Sequence, residues 1–179
     1  HLMGAVHLCK AVWPHMVAQK YGRILMTTSS TGLYGNFGQA NYGAAKLAQV
    51  GLMQTLSIEG AKHDIRVNAL APTAATRMTE GLLPPEVMDA IKPEAVVPAM
   101  LVAVSEQAPS RMIFAAGAGT YEAAHITLTQ GVHLGLTPDT PERLLAALAQ
   151  VADRAGETVP MSGAEQGTNE VKQALATRR

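Results

Sequence analysis

Three side chains in the stretch SSTGLYGNFGQANYGAAK, residues 29–46, could together move a proton. Tyr42 and Lys46 are four positions apart, so on a helix their side chains share one face. A lysine ammonium about 4 Å from a tyrosinate stabilises it by roughly 4 kcal/mol at an effective dielectric constant of about 20. Desolvation of the tyrosinate offsets part of that gain. Tyr42 is therefore the candidate general acid/base.

Ser29 is the candidate partner of Tyr42 because its hydroxyl follows a short apolar run, ILM at 24–26, that is typical of a buried parallel strand. Ligands of α/β proteins bind at the carboxyl ends of such strands. A carbonyl held there by a serine O–H and a tyrosine phenol is poised for hydride attack. The hydride must come from a cofactor, because no side chain supplies one.

Two further residues in this stretch compete for the same roles. Ser30 is one position closer to Tyr42 than Ser29 is, and we interpret it as a loop hydroxyl. Tyr34 has no lysine at helical spacing, so we expect it to line a substrate cleft or to pack locally. The alternative for the whole set is a plain helix start with an exposed tyrosine and a solvated lysine.

The elements that must position these residues alternate along the chain. Apolar residues at helical spacing predict helices over 1–20, 42–60, 93–104 and 140–151, and a short one after Pro85. Apolar or β-branched runs predict strands within 21–30, 65–71 and 111–117. This order indicates an α/β protein with a Rossmann-like, doubly wound parallel sheet. Since such a fold needs about six strands, we expect this chain to supply its second half.

Details of three helices are also predicted. Pro14 should kink or end the regular part of the first. Apolar residues pointing in several directions predict that the helix over 42–60 is buried on more than one side. Thr140 should cap the helix that begins at Pro141. From about Gly156 the chain is polar, so we predict a catalytic portion over 1–155 and a polar tail over 156–179.

Composition excludes several classes of protein. The 179 residues are 47% hydrophobic and 16% charged, which argues against disorder. A net charge of +0 gives no electrostatic support to a nucleic-acid partner. The longest apolar runs are too short to span a bilayer, so no membrane partner is expected. Cys9, the single cysteine, excludes an internal disulfide framework, suits a reducing, cytoplasmic compartment, and is expected to be buried.

Ligand-binding motifs of other kinds are weak. The six histidines show no metal-binding spacing, so no metal site is predicted. Gly32, Gly35 and Gly38 could suggest a phosphate loop, but no G-K-[ST] follows them, and turn geometry is the preferred interpretation. Asn68 is interpreted as a structural side chain that ties its strand to a neighbour.

The combined motifs resemble a known family. The spacing Ser-x12-Tyr-x3-Lys, with GRILMTTSS, GQANYGAAK and IRVNALAP, resembles the catalytic half of the short-chain dehydrogenase/reductases. The resemblance runs from His1 to about Gly119. It implies that Ser29 polarises a carbonyl, that Tyr42 is the acid/base, and that Lys46 stabilises the tyrosinate and binds the ribose of NAD or NADP.

The resemblance implies further cofactor contacts and a substrate class. The segment after Pro72 would hold the nicotinamide carboxamide through backbone groups near Ala75 and the hydroxyl of Thr76. LYGNFGQANYGAAK, LSIEGAK and APTAATRMT resemble the (3R)-hydroxyacyl-CoA dehydrogenase domain of multifunctional enzymes type 2 and bacterial relatives. A 3-hydroxyacyl/3-ketoacyl thioester is therefore the favoured substrate, with hydroxysteroids, polyols and acyl-carrier-protein substrates left open. Met78 and Met88 fall in the substrate-loop region.

The resemblance also implies a homodimer or homotetramer, in which the first helix and the helix over 42–60 pack across a two-fold axis. Three departures qualify it. His1 stands where the family often has an asparagine, and Thr73 replaces a usual glycine. The glycine-rich turn that cradles the pyrophosphate is absent, so we expect it in a preceding half. The alternative is an incomplete domain that serves as a non-catalytic dimerisation module.

Overall fold

The computed structural model describes residues 1–76, 81 and 83–177. Its elements are, in chain order, α1 Met3–Gln19, β1 Gly22–Thr27, α2 Ser30–Tyr34, α3 Ala40–Gly60, β2 Ile65–Pro72, α4 Pro85–Ala90, α5 Val97–Val104, β3 Ile113–Gly117, β4 Thr120–Ala124, α6 Thr140–Ala146, α7 Leu148–Val151 and α8 Gly163–Ala176. Short 3₁₀ turns at Ala61–His63 and Pro93–Val96 precede β2 and α5. Two compact units result, His1–Ala124 and His125–Arg179.

The first unit is built on one sheet with the strand order β1-β2-β3-β4. The pairs β1–β2 and β2–β3 are parallel, with Thr27 beside Leu70 and Pro72 beside Ala116. This confirms the predicted α/β class and its three parallel strands. A fourth strand, β4, pairs antiparallel with β3 and was not predicted. Its sequence, TYEAA, is mostly exposed and lacks the apolar pattern of a core strand.

Helices cover both faces of this sheet. Ala69 and Leu70 are both buried, and because they are consecutive in β2 they point to opposite faces. Ala69 belongs to a core with residues of α1 and α3, whereas Leu70 packs with Val96 and Ala99 at the start of α5. A sheet with helices on both faces is the doubly wound arrangement that the sequence predicts.

Two helices differ from expectation. α1 does not end at Pro14 but continues to Gln19, and Trp13 and Met16 on either side of the proline pack against the core. A kink at Pro14 stays a prediction. α3 buries one stripe rather than several sides. Its buried residues recur at helical spacing, whereas Leu47 and Ile58 on another face are 44% and 51% exposed.

Arg23 lies at the amino ends of β1 and β2, where its side chain is hydrogen-bonded to the backbone. Its guanidinium donates to the carbonyls of Gly22, Asp64, Ser105 and Glu106 and to the Asp64 carboxylate, at 2.7–3.2 Å. These bonds use all five of its N–H donors. Its side chain is only 6% exposed.

Two neighbours of Arg23 complete this end of the sheet. Asp64 also accepts from Arg66 at 3.0 Å, and the hydrogen bond from Arg23, with the help of Arg66, lowers the pKa of Asp64. Asn68, in β2, donates to the carbonyls of Ala103 and Pro109 and accepts from the Met112 amide. The structural role predicted for Asn68 is confirmed by these bonds.

In its described residues, the second unit has less strand pairing and less burial than the first. Its only bridge between extended segments joins Leu128 and Thr158 in the described residues 125–177, and none of those residues is buried. α6 begins at Thr140 itself, one residue earlier than predicted, with Asp139 at the preceding position. The segment predicted as a polar tail, 156–179, contains the helix α8. The predicted boundary at residue 155 stays a prediction.

Candidate active site

Ser29 lies two positions after the carboxyl end of β1, where the chain turns into α2. It is the N-cap of α2, and its Oγ accepts a hydrogen bond from the Thr31 amide at 3.2 Å. A serine hydroxyl has one proton and two lone pairs, so this bond leaves the proton to donate. Ser29 is half-buried, whereas Ser30 is exposed as the first residue of α2.

Lys46 reaches back from α3 to the same end of β1. Its Nζ donates to the Thr27 carbonyl at 2.7 Å, and the residue is 8% exposed. The Thr28 hydroxyl donates in turn to the Lys46 carbonyl at 2.8 Å. These two bonds join the end of β1 to α3 directly beside Ser29. They hold the ammonium near the carboxyl end of β1.

Tyr42 lies in the first turn of α3 and is half-buried. The Lys46 Nζ lies 5.7 Å from the centroid of its ring. The His1 ring packs edge-on against it, with a centroid separation of 5.1 Å and an interplanar angle of 87°. The structure thus brings tyrosine and lysine together as their spacing predicts, while Tyr34 lies at the exposed end of α2.

The glycines between Ser29 and Tyr42 serve the turn. Gly35 and Gly38 have φ of 80° and 74°, values that favour glycine, as expected of turn residues. Gly32 has a different purpose, since a Cβ there would lie 2.8 Å from the Lys46 Cβ. Its missing side chain lets α2 lie directly against α3. The short helix α2 was not predicted, because it falls inside a glycine-rich stretch.

The segment after Pro72 leaves the sheet one strand away, at the carboxyl end of β2. The Thr73 amide donates to the Ala116 carbonyl at 2.8 Å, and the Ala75 amide donates to the Ile91 carbonyl at 2.7 Å. A carboxamide near Ala75 would therefore meet its carbonyl oxygen rather than its N–H. Thr76 is exposed at the end of this described stretch. Met78 lies outside the described residues, and Met88 is half-buried in α4.

Sequence reasoning missed the groups that hold the lysine. Thr27 contributes a backbone carbonyl, which no side-chain pattern reveals. Thr28 could have been suspected as a buried hydroxyl at a strand end. The Gln49 side-chain amide donates to the His1 carbonyl, and Gln49 is buried on the same stripe of α3 as Lys46.

Other kinds of site find no support in the part of the chain that the structure describes. No three His, Cys, Asp or Glu side chains there cluster as metal ligands would. No described helix is long and apolar enough to cross a membrane. Cys9 is buried as predicted, and burial raises the pKa of its thiol.

The sequence is similar to known proteins. The sequence profile of the short chain dehydrogenase family matches residues 1–86. A short-chain type dehydrogenase/reductase of Mycobacterium tuberculosis is 42% identical over 160 residues, covering 89% of this chain and 56% of the relative. The peroxisomal multifunctional enzyme type 2 of Mus musculus is 42% identical over 165 residues, covering 90% of this chain and 22% of the relative.

A solved structure extends the comparison to the fold. Full-length peroxisomal multifunctional enzyme type 2 from Drosophila melanogaster matches with a TM-score of 0.85 and 30% identity, over 99% of this chain and 33% of that one. The chain spans about half of the length of the mycobacterial relative and less of the two multifunctional enzymes. The profile over residues 1–86, the relatives and the fold all match the short-chain dehydrogenase/reductase family.

Proposed function

We propose that this chain carries the acid/base machinery of an NAD(P)-dependent oxidoreductase that interconverts a secondary alcohol and a ketone. Ser29, Tyr42 and Lys46 are its proposed catalytic residues. One observation carries the proposal. The Lys46 ammonium is held by the Thr27 carbonyl at 2.7 Å and lies 5.7 Å from the Tyr42 ring centroid. It therefore lies at the carboxyl end of β1, and α/β proteins bind ligands at the carboxyl ends of their strands.

The donor groups at this edge fit a nicotinamide nucleotide. Lys46 uses one of its three N–H donors on Thr27, which leaves two for ribose hydroxyls. The segment from Pro72 to Thr76 emerges from the adjacent strand and would supply the Ala75 carbonyl and the Thr76 hydroxyl to the carboxamide. When bound, NAD(P) would accept or donate the hydride, which no side chain can do. The choice between NAD and NADP stays open.

The chain's own residues would manage the proton. During oxidation, the Tyr42 phenolate accepts the proton of the alcohol hydroxyl while the C–H bond breaks, its electron pair leaves as hydride, and the C=O bond forms. The Ser29 O–H donates to that oxygen. The Lys46 ammonium stabilises the charge on the Tyr42 oxygen. In reduction, the Tyr42 phenol returns the proton to the carbonyl oxygen.

A 3-hydroxyacyl/3-ketoacyl thioester is the proposed substrate. The support is the names of relatives, which include multifunctional enzymes and a 3-oxoacyl-[acyl-carrier-protein] reductase of Synechocystis that is 51% identical over 79 residues. The fold by itself accepts many substrates. Several relatives are named peroxisomal, so a cytoplasmic location stays a prediction.

The deciding experiment replaces Tyr42 by phenylalanine in the complete protein. With acetoacetyl-CoA and NADH or NADPH, kcat should fall by about 10³-fold or more, since proton transfer loses its group. The thermal midpoint should stay unchanged, because the ring remains. Tyr21→Phe is the matched control, since Tyr21 lies at the opposite end of β1 against Arg23. Retention of most activity by the Tyr42 variant would overturn the proposal.

A second candidate function, a non-catalytic dimerisation module, is favoured by the apolar faces that this chain leaves exposed. On α1, Leu8 is 69% exposed, and on α3 Leu47 and Ile58 are about half exposed. The proposed homodimer or homotetramer would use the same faces. The intact mass of the protein in cell extract separates the two functions. A mass of 18.8 kDa with no dinucleotide binding supports the module, whereas a longer chain that binds NADH or NADPH supports the enzyme.

A further inference from the structure

Thr73 is the first residue after β2, and it lies beside the carboxyl end of β3. It follows Pro72, which pairs with Ala116, and its amide continues that ladder by donating to the Ala116 carbonyl at 2.8 Å. The next residue of β3, Gly117, therefore lies beside Thr73. This contact stands at the point where the proposed nicotinamide-binding segment leaves the sheet.

Gly117 has no room for a side chain. A Cβ built there would lie 2.6 Å from the Thr73 Cβ and 2.7 Å from the Thr73 carbonyl oxygen, closer than real Cβ contacts come. Its φ is outside the left-handed range that Gly35 and Gly119 adopt. The requirement for glycine at 117 is therefore one of space rather than of backbone conformation.

The segment beyond Thr73 is pinned at a second point. The Ala75 amide donates to the Ile91 carbonyl at 2.7 Å, beyond the end of α4. Because both amides are engaged, the backbone between Thr73 and Ala75 has little freedom to relax. We therefore expect a substitution at Gly117 that displaces Thr73 to disturb the backbone groups proposed to meet the carboxamide.

We propose that Gly117 is a positioning residue for nicotinamide binding, acting through Thr73. The inference rests on the proposed function of the Pro72–Thr76 segment. Thr73, with its β-branched side chain, lies flat against the end of β3 only because position 117 carries no Cβ. The pair sets where the segment departs from β2, and so where the nicotinamide end of the cofactor lies.

The test is Gly117→Ala in the complete protein, with two pairs of probes. NADH and NADPH carry the nicotinamide, whereas ADP-ribose and its 2′-phosphate lack it. The dissociation constant of the dinucleotide that binds should rise about tenfold or more, because the added Cβ displaces the backbone groups proposed to meet the nicotinamide. That of the matching nicotinamide-free probe should change less than about twofold. Gly167→Ala is the matched control, since a Cβ there meets nothing within 4 Å.

A double-mutant cycle with Thr73→Gly isolates the contact. Removing the Thr73 Cβ relieves the closer clash and leaves the 2.7 Å approach to the Thr73 carbonyl oxygen, so Gly117→Ala should cost less in that background than alone. The cycle remains informative if Gly117→Ala alone does not fold, because the double variant should then fold and bind dinucleotide. Three results would each overturn the inference. The first is an equal cost of Gly117→Ala in both backgrounds, and the second is an equal loss of affinity for both pairs of probes. The third is a folded Gly117→Ala protein with unchanged affinity.

Failure of the proposed function would look different. The unmodified complete protein would then bind neither NADH nor NADPH. The contact would still be measurable from thermal unfolding, where Gly117→Ala should lower the midpoint more when Thr73 is present than in the Thr73→Gly background. Such a result would retain the steric pair and reject its role toward a nucleotide.

Discussion

At the amino ends of β1 and β2, Arg23 directs all five of its N–H donors to protein acceptors, whereas at the carboxyl ends Lys46 directs one donor to Thr27. Among the described residues, Ser29 likewise only accepts a hydrogen bond there, from Thr31. The donors of Arg23 are thus all used within the chain, whereas Lys46 and Ser29 keep donors for the proposed ligand. Substitutions at the first should therefore reduce stability, and those at the second should reduce activity.

The largest effect should follow removal of the ammonium at the carboxyl end. Lys46→Met is expected to lower kcat/KM by about 10³-fold, or roughly 4 kcal/mol, because both the charge beside Tyr42 and the proposed ribose donors are lost. Steady-state kinetics that vary nucleotide and thioester separately should show a rise in the nucleotide KM as well. Lys46→Arg, which keeps the charge, should retain more activity. Normal kinetics of the Lys46→Met protein would contradict the expectation that the carboxyl ends of the strands serve activity.

The saturated end should respond in stability instead. Arg23→Met removes five hydrogen bonds, four to carbonyls and one to the Asp64 carboxylate, so the free energy of unfolding should fall by about 3 kcal/mol. Urea denaturation measures this change. The matched variant Arg66→Met should cost less, since the Arg66 side chain is 34% exposed. Activity per folded molecule should be unchanged. A loss of kcat without loss of stability would contradict the assignment.

The two adjacent serines sharpen the comparison within the carboxyl end. Ser29→Ala should lower kcat about 100-fold, roughly 2.7 kcal/mol, because a carbonyl oxygen loses a donor that acts in the transition state. Ser30→Ala should remain near the unmodified rate, since Ser30 is exposed on α2. Measuring kcat for both variants decides which serine acts on the carbonyl oxygen. The reverse pattern would transfer the role to Ser30.

The smallest effect should come from Asp64, and it should depend on pH. Hydrogen bonds from Arg23 and then Arg66 lower the pKa of this carboxyl in the folded protein. Its stabilising contribution is therefore present above the unfolded pKa of about 3.9 and is lost as the pH falls through the lower, folded value.

Denaturation as a function of pH tests this. Asp64→Asn should destabilise the protein at pH 7, and the difference from the unmodified protein should disappear in acid. Asp89→Asn, at an exposed pair with Lys92, should change little at any pH. A difference for Asp64→Asn that persists in strong acid would show that the carboxylate charge is not the cause.

Local patterns predicted the parts of the fold that depend on burial. Apolar runs mark β1, β2 and β3, because these strands are covered by helices on both faces. β4 escaped prediction because it is an edge strand with mostly exposed side chains. The single buried stripe of α3 also differs from prediction, since apolar residues such as Leu47 do not reveal whether the same chain covers them.

The candidate site likewise has parts that the sequence predicts and parts that it does not. Tyr42 and Lys46 are predictable because helical spacing alone places them on one face. The carbonyl of Thr27 that holds the lysine is a backbone atom and has no sequence signature. The contact of Thr73 with Gly117 joins two strands whose register the sequence does not show.

The hydrogen bonds that hold Lys46 and Thr73 also differ in the length of chain that must close to form them. The bond from Lys46 to Thr27 spans 19 positions, whereas the bond from Thr73 to Ala116 spans 43, which is 116 minus 73. The entropic difference between loops of these lengths is only about 0.7 kcal/mol. Contacts of shorter sequence separation nevertheless tend to form faster. The serine–tyrosine–lysine region is thus a short-range structure, and the proposed cofactor segment is completed only when β3 joins the sheet.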